Sequence, residues 1–440
     1  MLGFLHNVKL FQVIVLLMML RIIIFFTIFT LPVLMTAQTE DLQSFLAATH
    51  AYPGYRASQS FLEGAKAALR EAYNRVEVDA DIGYTVQRGT PDNPRGLTDG
   101  GILGDAGISF RPLLYGPDAD LARRRELDLR LAVLTHQERL IALESRAIRA
   151  AGSAALAQTS VTLARELLSV AEQDLNTVRL RFDAGLITDQ EVRAAELAAQ
   201  AAQARLRDAE AEASIAEMSL SNLVGDARLA ALPDLALPEG EAAAVTRARA
   251  NVEYERIALT SLRQTFYPVA RASYEYSLGE STALVASVES DTLEPRIGIK
   301  FNDYGLDSTS TSLEVGVGIN LSLGMFDALK GAESRLETAQ LDLAATLQDG
   351  AIAAERLRLA AQSADEALEL AGRRLESATQ TLATAQERER LGLSLPLDTQ
   401  RAATNLIQAR YDLEAAQLRK QEAQLAFYEL YAVPLSEVTP

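Results

Sequence analysis

Cysteine is missing from all 440 residues. That excludes disulfides, thiolate metal sites and cysteine nucleophiles, and it suits an oxidising compartment without requiring one. Histidine is almost missing: His6, His50 and His136 are scattered and offer no metal cluster. Basic residues are outnumbered by acidic ones, and the formal net charge of −17 argues against nucleic acid or anionic lipid as the main partner. Catalytic signatures are absent as well. Gly316-Val317-Gly318 lacks the third glycine of a dinucleotide loop and sits in strand-like sequence. There is no Walker loop, no metal-ligand spacing and no nucleophile elbow. The expectation is a protein that is not an enzyme and that uses no cofactor or metal. At 48% hydrophobic and 23% charged residues, the chain still has ample material for a large ordered fold.

Only one apolar run, Leu10 to Met35, is long enough to span a bilayer, and Arg21 interrupts it. A start at Met18 or Met19 would give MMLR, then IIIFFTIFTLPVLM, then Thr36-Ala37, the pattern of a signal peptide. Residues 1–37 are therefore expected to be removed on export, with the true start later than Met1. A single N-terminal membrane anchor is the alternative, because Met35 is a poor residue at the −3 position.

What the chain does have is a large internal repeat. The stretch from Arg181 to Leu223 returns from Arg388 to Leu430 at a constant offset of 207 with no gap. Arg181, Gly185, Leu186, Ala195, Ala202, Leu206, Ala209, Ala216 and Leu223 fall on the same residue types, and Glu191 falls on Asp398. After each Gly-Leu turn the sequence becomes helical. In the first copy Val192, Ala195, Ala199, Ala202, Leu206, Ala209, Ala213, Ala216, Leu220 and Leu223 form an unbroken a/d heptad seam. The second copy keeps this seam except at Thr399 and Lys420. A seam so rich in alanine lets neighbouring backbones approach closely, and repetition on this scale makes the chain two related halves.

This doubled pattern of Arg, Gly, a short polar turn, an acid and Ala-rich heptads resembles the TolC family of outer membrane efflux channels. The resemblance covers essentially the mature chain. It implies an α+β membrane protein in which three protomers share a long α-helical coiled-coil barrel and a transmembrane β-barrel, about four strands each. The boundaries expected are a first repeat at 38–228, a linker at 229–240 with Pro233 and Pro238, a second repeat at 241–432 and a C-terminal tail at 433–440. The lipid-anchor cysteine that some members carry at the mature N-terminus is absent here.

Taken in order, Glu40 to His50 and Tyr55 to Asn74 read as helices. The period then changes from 3.6 to 2. Val76, Val78, Ala80, Ile82, Tyr84 and Val86 face one way; Glu77, Asp79, Asp81, Gly83, Thr85 and Gln87 face the other. A strand of ~10 residues with one apolar face is what a tilted transmembrane β-strand requires, although a soluble sandwich strand also alternates. The stretch from Arg88 to Gly107 reads as a loop, and a second strand carries Ile108 and Phe110 against Ser109 and Arg111. From Asp118 to about Phe182 only Gly152 weakens helix, so one helix of ~65 residues would run roughly 100 Å, suited to a tube crossing much of the periplasm.

The second half follows suit. Glu241 to Phe266 is helical, and strands follow at Ala270–Leu278 and Leu313–Leu323. Leu329 to about Glu389 is the second long helix. Between those strands Ile297, Ile299 and Phe301 also alternate, with Arg296, Gly298, Lys300 and Asn302 opposite. This reads as an insertion, a β-hairpin extending the extracellular end. Four strands cannot close a barrel, because small barrels need about eight. An open edge in lipid leaves backbone groups unpaired at several kcal/mol each. Periodicity alone would allow a dimer; the homotrimer is what the resemblance implies.

The resemblance also assigns sites. Gly185, Leu186 and Ile187, with Gly392, Leu393 and Ser394, would be periplasmic tips that dock an adaptor protein; each glycine also has the plain use of ending a helix. Asp398 matches an acid that lines the closed entrance in the family, and Glu191 is its counterpart. Where the family's best-known member has a second aspartate, this chain has Arg401, which suggests an Asp398–Arg401 pair at i, i+3. Thr188 and Glu191 equally spell a capping box, and Asp398 equally suits a helix first turn. Glu77, Asp79, Asp81, Glu275 and Glu314 against Arg111 and Arg271 would give a barrel lumen an acidic bias, or simply hydrate a wide pore. The function expected is an outer membrane exit duct for a tripartite efflux pump or type I secretion system, joined through the adaptor to an inner-membrane transporter. The rival is a periplasmic or surface coiled-coil structural protein, which leaves the one-sided strands unexplained. The exported substrate is not legible.

Overall fold

A computed structural model describes residues 42–87, 99–113, 116–229, 231–278, 282–302, 311–319 and 324–438. The expected signal peptide, Leu321 and Leu323 lie outside them. A short helix, α1, covers 42–49, and its last residue Thr49 donates its hydroxyl to Leu46 O at 2.6 Å. Then come α2 (Pro53–Ala72), β1 (Val76–Gln87), β2 (Asp99–Phe110), α3 (Pro117–Asp183) and α4 (Asp189–Val224). The second half has α5 (Ala243–Gln264), β3 (Val269–Ser277), β4 (Thr282–Glu289), β5 (Pro295–Asn302), β6 (Thr311–Gly318), α6 (Met325–Arg390), α7 (Pro396–Tyr431) and α8 (Leu435–Val438). The halves therefore share an order of elements: helix, strands, a helix of 67 or 66 residues, then one of 36. Among the described residues no helix is long and apolar enough to cross a membrane.

By contacts the chain forms two compact units, and each draws on both halves. One takes in the described residues of Gln59–His136 and Glu241–Ala351 and holds the sheet; the other takes in those of 42–58, Gln137–Gly240 and 352–438.

The sheet is antiparallel, six-stranded, and ordered β1-β2-β5-β4-β3-β6. This changes two expectations. Residues 99–107 are strand, not loop. Their glycines read as turn signals, yet the backbone ladder needs no side chain, and Gly100, Gly101, Gly104 and Gly107 all pair with β1. The inserted hairpin does not extend past the sheet; it is spliced into it. β5 pairs with β2 from Leu103↔Asn302 to Ser109↔Arg296, and β4 pairs with β3 from Arg271↔Glu289 to Ser277↔Ala283. Both flanking edges thereby satisfy their backbone groups, which a protruding hairpin would leave open. The sheet thus has six strands where the simple alternation count finds about four.

In the helical unit the apolar core joins α1 (Phe45, Leu46), α3 (Ile141, Ile148), α4 (Leu220, Leu223) and α7 (Leu425, Tyr428). All ten seam residues of α4 are buried or half-buried, so the 3-4 spacing does mark its packed face. Val161 and Ala164 of α3 meet Ala209 and Ala213 there. The two seam exceptions in α7 have partners of their own. Thr399 donates its hydroxyl to Ala385 O of α6 at 3.4 Å. Lys420 lies 3.2 Å from both Asp365 of α6 and Asp234, and the bond to Asp365 chiefly raises its pKa. The segment between the halves lies along α7: Gln421 donates to Pro233 O, Gln424 to Asp234, and the Tyr428 hydroxyl to Ala236 O.

The last described residues are folded rather than loose. Buried Glu144 of α3 accepts the Leu435 N–H at 2.6 Å and the Ser436 N–H at 3.4 Å, and Leu435 is buried in the core.

Candidate functional site

The two repeat turns have one geometry. In the first, Leu186 N–H bonds Arg181 O at 2.9 Å and Gly185 N–H bonds Phe182 O at 2.8 Å. In the second, Leu393 N–H bonds Arg388 O at 2.8 Å and Gly392 N–H bonds Glu389 O at 2.9 Å. These are paired Schellman motifs, with the glycine in the left-handed region at φ +70° in each. A Cβ at either glycine would touch nothing, so conformation and not crowding asks for glycine. The motif turns the chain abruptly and leaves the next residue outside: Leu186 is 73% exposed and Leu393 74%. Ile187 and Ser394 are half-buried.

The acids after the turns act on backbone. Glu191 accepts the Thr188 N–H at 2.7 Å and the Thr188 hydroxyl at 3.0 Å. The N–H bond, followed by the hydroxyl, holds its carboxyl below the usual range. Asp398 accepts the N–H of Leu395 at 3.3 Å, but leucine has no hydroxyl to complete a reciprocal box. The expected Asp398–Arg401 pair does not form. Asp398 is turned to its own helix start, and Arg401 reaches α3, donating to the two oxygens of Asp174 at 3.2 and 3.0 Å. Nothing in the sequence pattern pointed to Asp174, because its partner is 227 positions away.

The sheet has two chemically distinct faces. By register, Val78, Ile108, Ile297, Ala286, Tyr274 and Leu313 form one row, and Ala80, Ala106, Ile299, Leu284 and Tyr276 the next. This apolar face is open: Ile82 is 86% exposed and Leu313 72%. The opposite face gathers the strand residues read as lumen: Glu77, Asp79 and Asp81 on β1, Arg271 and Glu275 on β3, and Glu314 on β6. Arg111 follows directly after β2 and pairs with Glu77, with Asp118 and Glu294 at 3.9 and 3.8 Å.

Three residues of that face, Asp105, Arg296 and Lys300, were not among those read as lumen. Arg296 bonds both Asp79 and Asp105, and Lys300 lies 3.3 Å from Glu275. To reach Asp79 on β1 from β5, the guanidinium passes over Gly107 on β2; a Cβ there would sit 2.9 Å from it. The alternation of Arg296 and Lys300 with Ile297 and Ile299 was the available signal. The acidic bias is therefore partly neutralised by ion pairs: Arg271–Glu289 at 2.6 Å is another. Among the described residues no group of histidines and acids is arranged to hold a metal.

An antiparallel six-stranded sheet with one open apolar face, joined in one chain to two long helical hairpins ending in matched turns, defines a class. The fold is that of the TolC family of outer membrane channels. The outer membrane channel CmeC of Campylobacter jejuni matches over 90% of this chain and 85% of its own, with TM-score 0.63 and 13% identity. The outer membrane protein VceC of Vibrio cholerae matches over 90% and 96%, with TM-score 0.63 and 18% identity. The open state of the MtrE channel of Neisseria gonorrhoeae matches over 90% and 89%, with TM-score 0.60 and 18% identity. What is shared at these identities is the fold. No protein-family profile matches the chain, and no curated protein matches it in sequence.

Proposed function

We propose that this chain is the exit duct of an efflux or secretion system in the outer membrane of a Gram-negative bacterium, working as a homotrimer. The observation that carries the reading is the sheet: one face is apolar and open to differing degrees along all six strands, and the other gathers the ion pairs, with Ala283 and Val285 of β4 its buried apolar members. Lipid suits the first face and water the second. Among the described residues the strand edges, β1 and β6, have no further partner strand, so copies of the chain must close the sheet. The helices then extend into the periplasm. The channel structures of like fold support this reading, and a structural coiled coil has no use for such a sheet.

The turns at Gly185-Leu186-Ile187 and Gly392-Leu393-Ser394 are the docking points for a periplasmic adaptor, which links the duct to an inner-membrane transporter. Exposed Leu186 and Leu393 supply the apolar contact that docking needs. Glu191, Asp398 and Arg401 lie just beyond the turns. The Arg401–Asp174 pair fastens α7 to α3, so opening at this end requires α7 to leave that pair or carry α3 along. Reconstitution in planar bilayers tests the reading. Detergent-purified protein is expected to run as a trimer and give discrete conductance steps, with Asp398→Ala altering the block by divalent cations. A water-soluble monomer without conductance overturns it.

A further inference from the structure

We propose that the β4–β5 hairpin is a working part of the membrane wall, so that each copy contributes six strands and the assembled barrel has eighteen. The inference rests on the trimeric reading above and specifies what its barrel is like. The resemblance implies about four strands a copy; the hairpin adds the other two.

At 8 residues each, β4 and β5 match β6, the edge strand of the same sheet, in length. The hairpin's ladders are continuous on both sides, to β2 and to β3. On β5 the faces agree in phase with the rest of the sheet: Ile297, Ile299 and Phe301 join the open apolar face, and Arg296 and Lys300 join the ionic one. β4 gives Leu284, Ala286 and Val288 to the apolar face and buried Ala283 and Val285, with Ser287 and Glu289, to the other. The two β5 cations reach acids on both flanking pairs, Asp79 and Asp105 on one side and Glu275 on the other. The turn between β4 and β5 is fastened too. Ser290 N–H bonds Ala270 O, and Ser290 Oγ accepts the Ala270 N–H, each at 2.8 Å. Adding two strands also preserves the up-down alternation, so β1 and β6 still run antiparallel to one another and can pair between copies. A single added strand would not allow that.

Barrel diameter grows roughly linearly with strand number, so eighteen strands give about 1.5 times the diameter of twelve.

The absence of cysteine makes disulfide mapping clean. Ala106 and Ile299 are direct cross-strand partners, so Ala106→Cys with Ile299→Cys should cross-link in oxidised outer membranes, read by mass spectrometry of linked peptides. Ile108 and Tyr274 lie on one row with two strands between them, roughly 14 Å apart at the usual strand spacing, beyond disulfide reach. Ile108→Cys with Tyr274→Cys should stay reduced. Closure of the second pair, or failure of the first in membrane-inserted trimers, overturns the inference and leaves the channel reading standing. Electron cryomicroscopy of the unmodified protein is the second measurement: eighteen strands support the inference and twelve overturn it. A soluble monomer would overturn both.

Discussion

At the scale of single residues, buried Glu144 shows how one side chain can close a terminus. α8 is only four residues long, too short to stand by itself, and its leading N–H groups point into the core. Glu144 satisfies two of them, and burial pushes its carboxyl above the usual range despite those bonds. Glu144→Ala leaves the buried Leu435 N–H and the half-buried Ser436 N–H without this acceptor, and stability measured by unfolding in detergent should fall by about 1–3 kcal/mol. The pH dependence has a defined sign. An acid whose folded pKa is raised binds its proton more tightly folded than unfolded, so its contribution declines as pH rises from the unfolded value, about 4.3, through the folded one. The stability difference between Glu144→Gln and the parent should therefore shift in favour of the variant as pH rises above the unfolded value of about 4.3. A difference that is flat with pH would deny the carboxylate this role. Lys420 carries a related lesson: a cation in an apolar seam is unreadable alone, and sensible once Asp234 and Asp365 are seen beside it.

At the scale of elements, the heptad seam of α4 was fully legible, because a helix in water reveals its buried stripe through spacing alone. Small side chains there set how close α3 and α4 come. Ala209→Leu inserts three carbons into the contact with Val161 and Ala164, and should lower the melting temperature by the equivalent of about 1–3 kcal/mol. Circular dichroism melts of the trimer would detect it; an unchanged melt would mean the seam is loosely packed. The hairpin tips were legible too, since Gly185 and Gly392 stand at the same repeat position and adopt the same φ. β2 was legible only in part. Its glycines are poor evidence of strand, and only the neighbouring ladder gives them that conformation.

At the scale of the whole molecule, the question is what the open apolar face is for. Ile82 is 86% exposed, and on a water-soluble protein a substitution there would change stability by about half a kcal/mol or less. In a lipid-facing strand, Ile82→Arg should cost about 2–4 kcal/mol near the bilayer midplane and reduce the amount of trimer in the outer membrane. Immunoblots of fractionated membranes would separate the two cases, and a variant as abundant as the parent would count against lipid on that face.

Periodicity and repetition determined the helix faces, the two-sided strands and the matched turns, because each depends on residues close in sequence or on one copy of the repeat set against the other. Tertiary structure decided the position of the β4–β5 hairpin, the Arg401–Asp174 and Arg296–Asp79 pairs, and the folding of the last described residues onto Glu144. These join positions hundreds of residues apart, and alternation that marks a strand carries no record of which strand lies beside it.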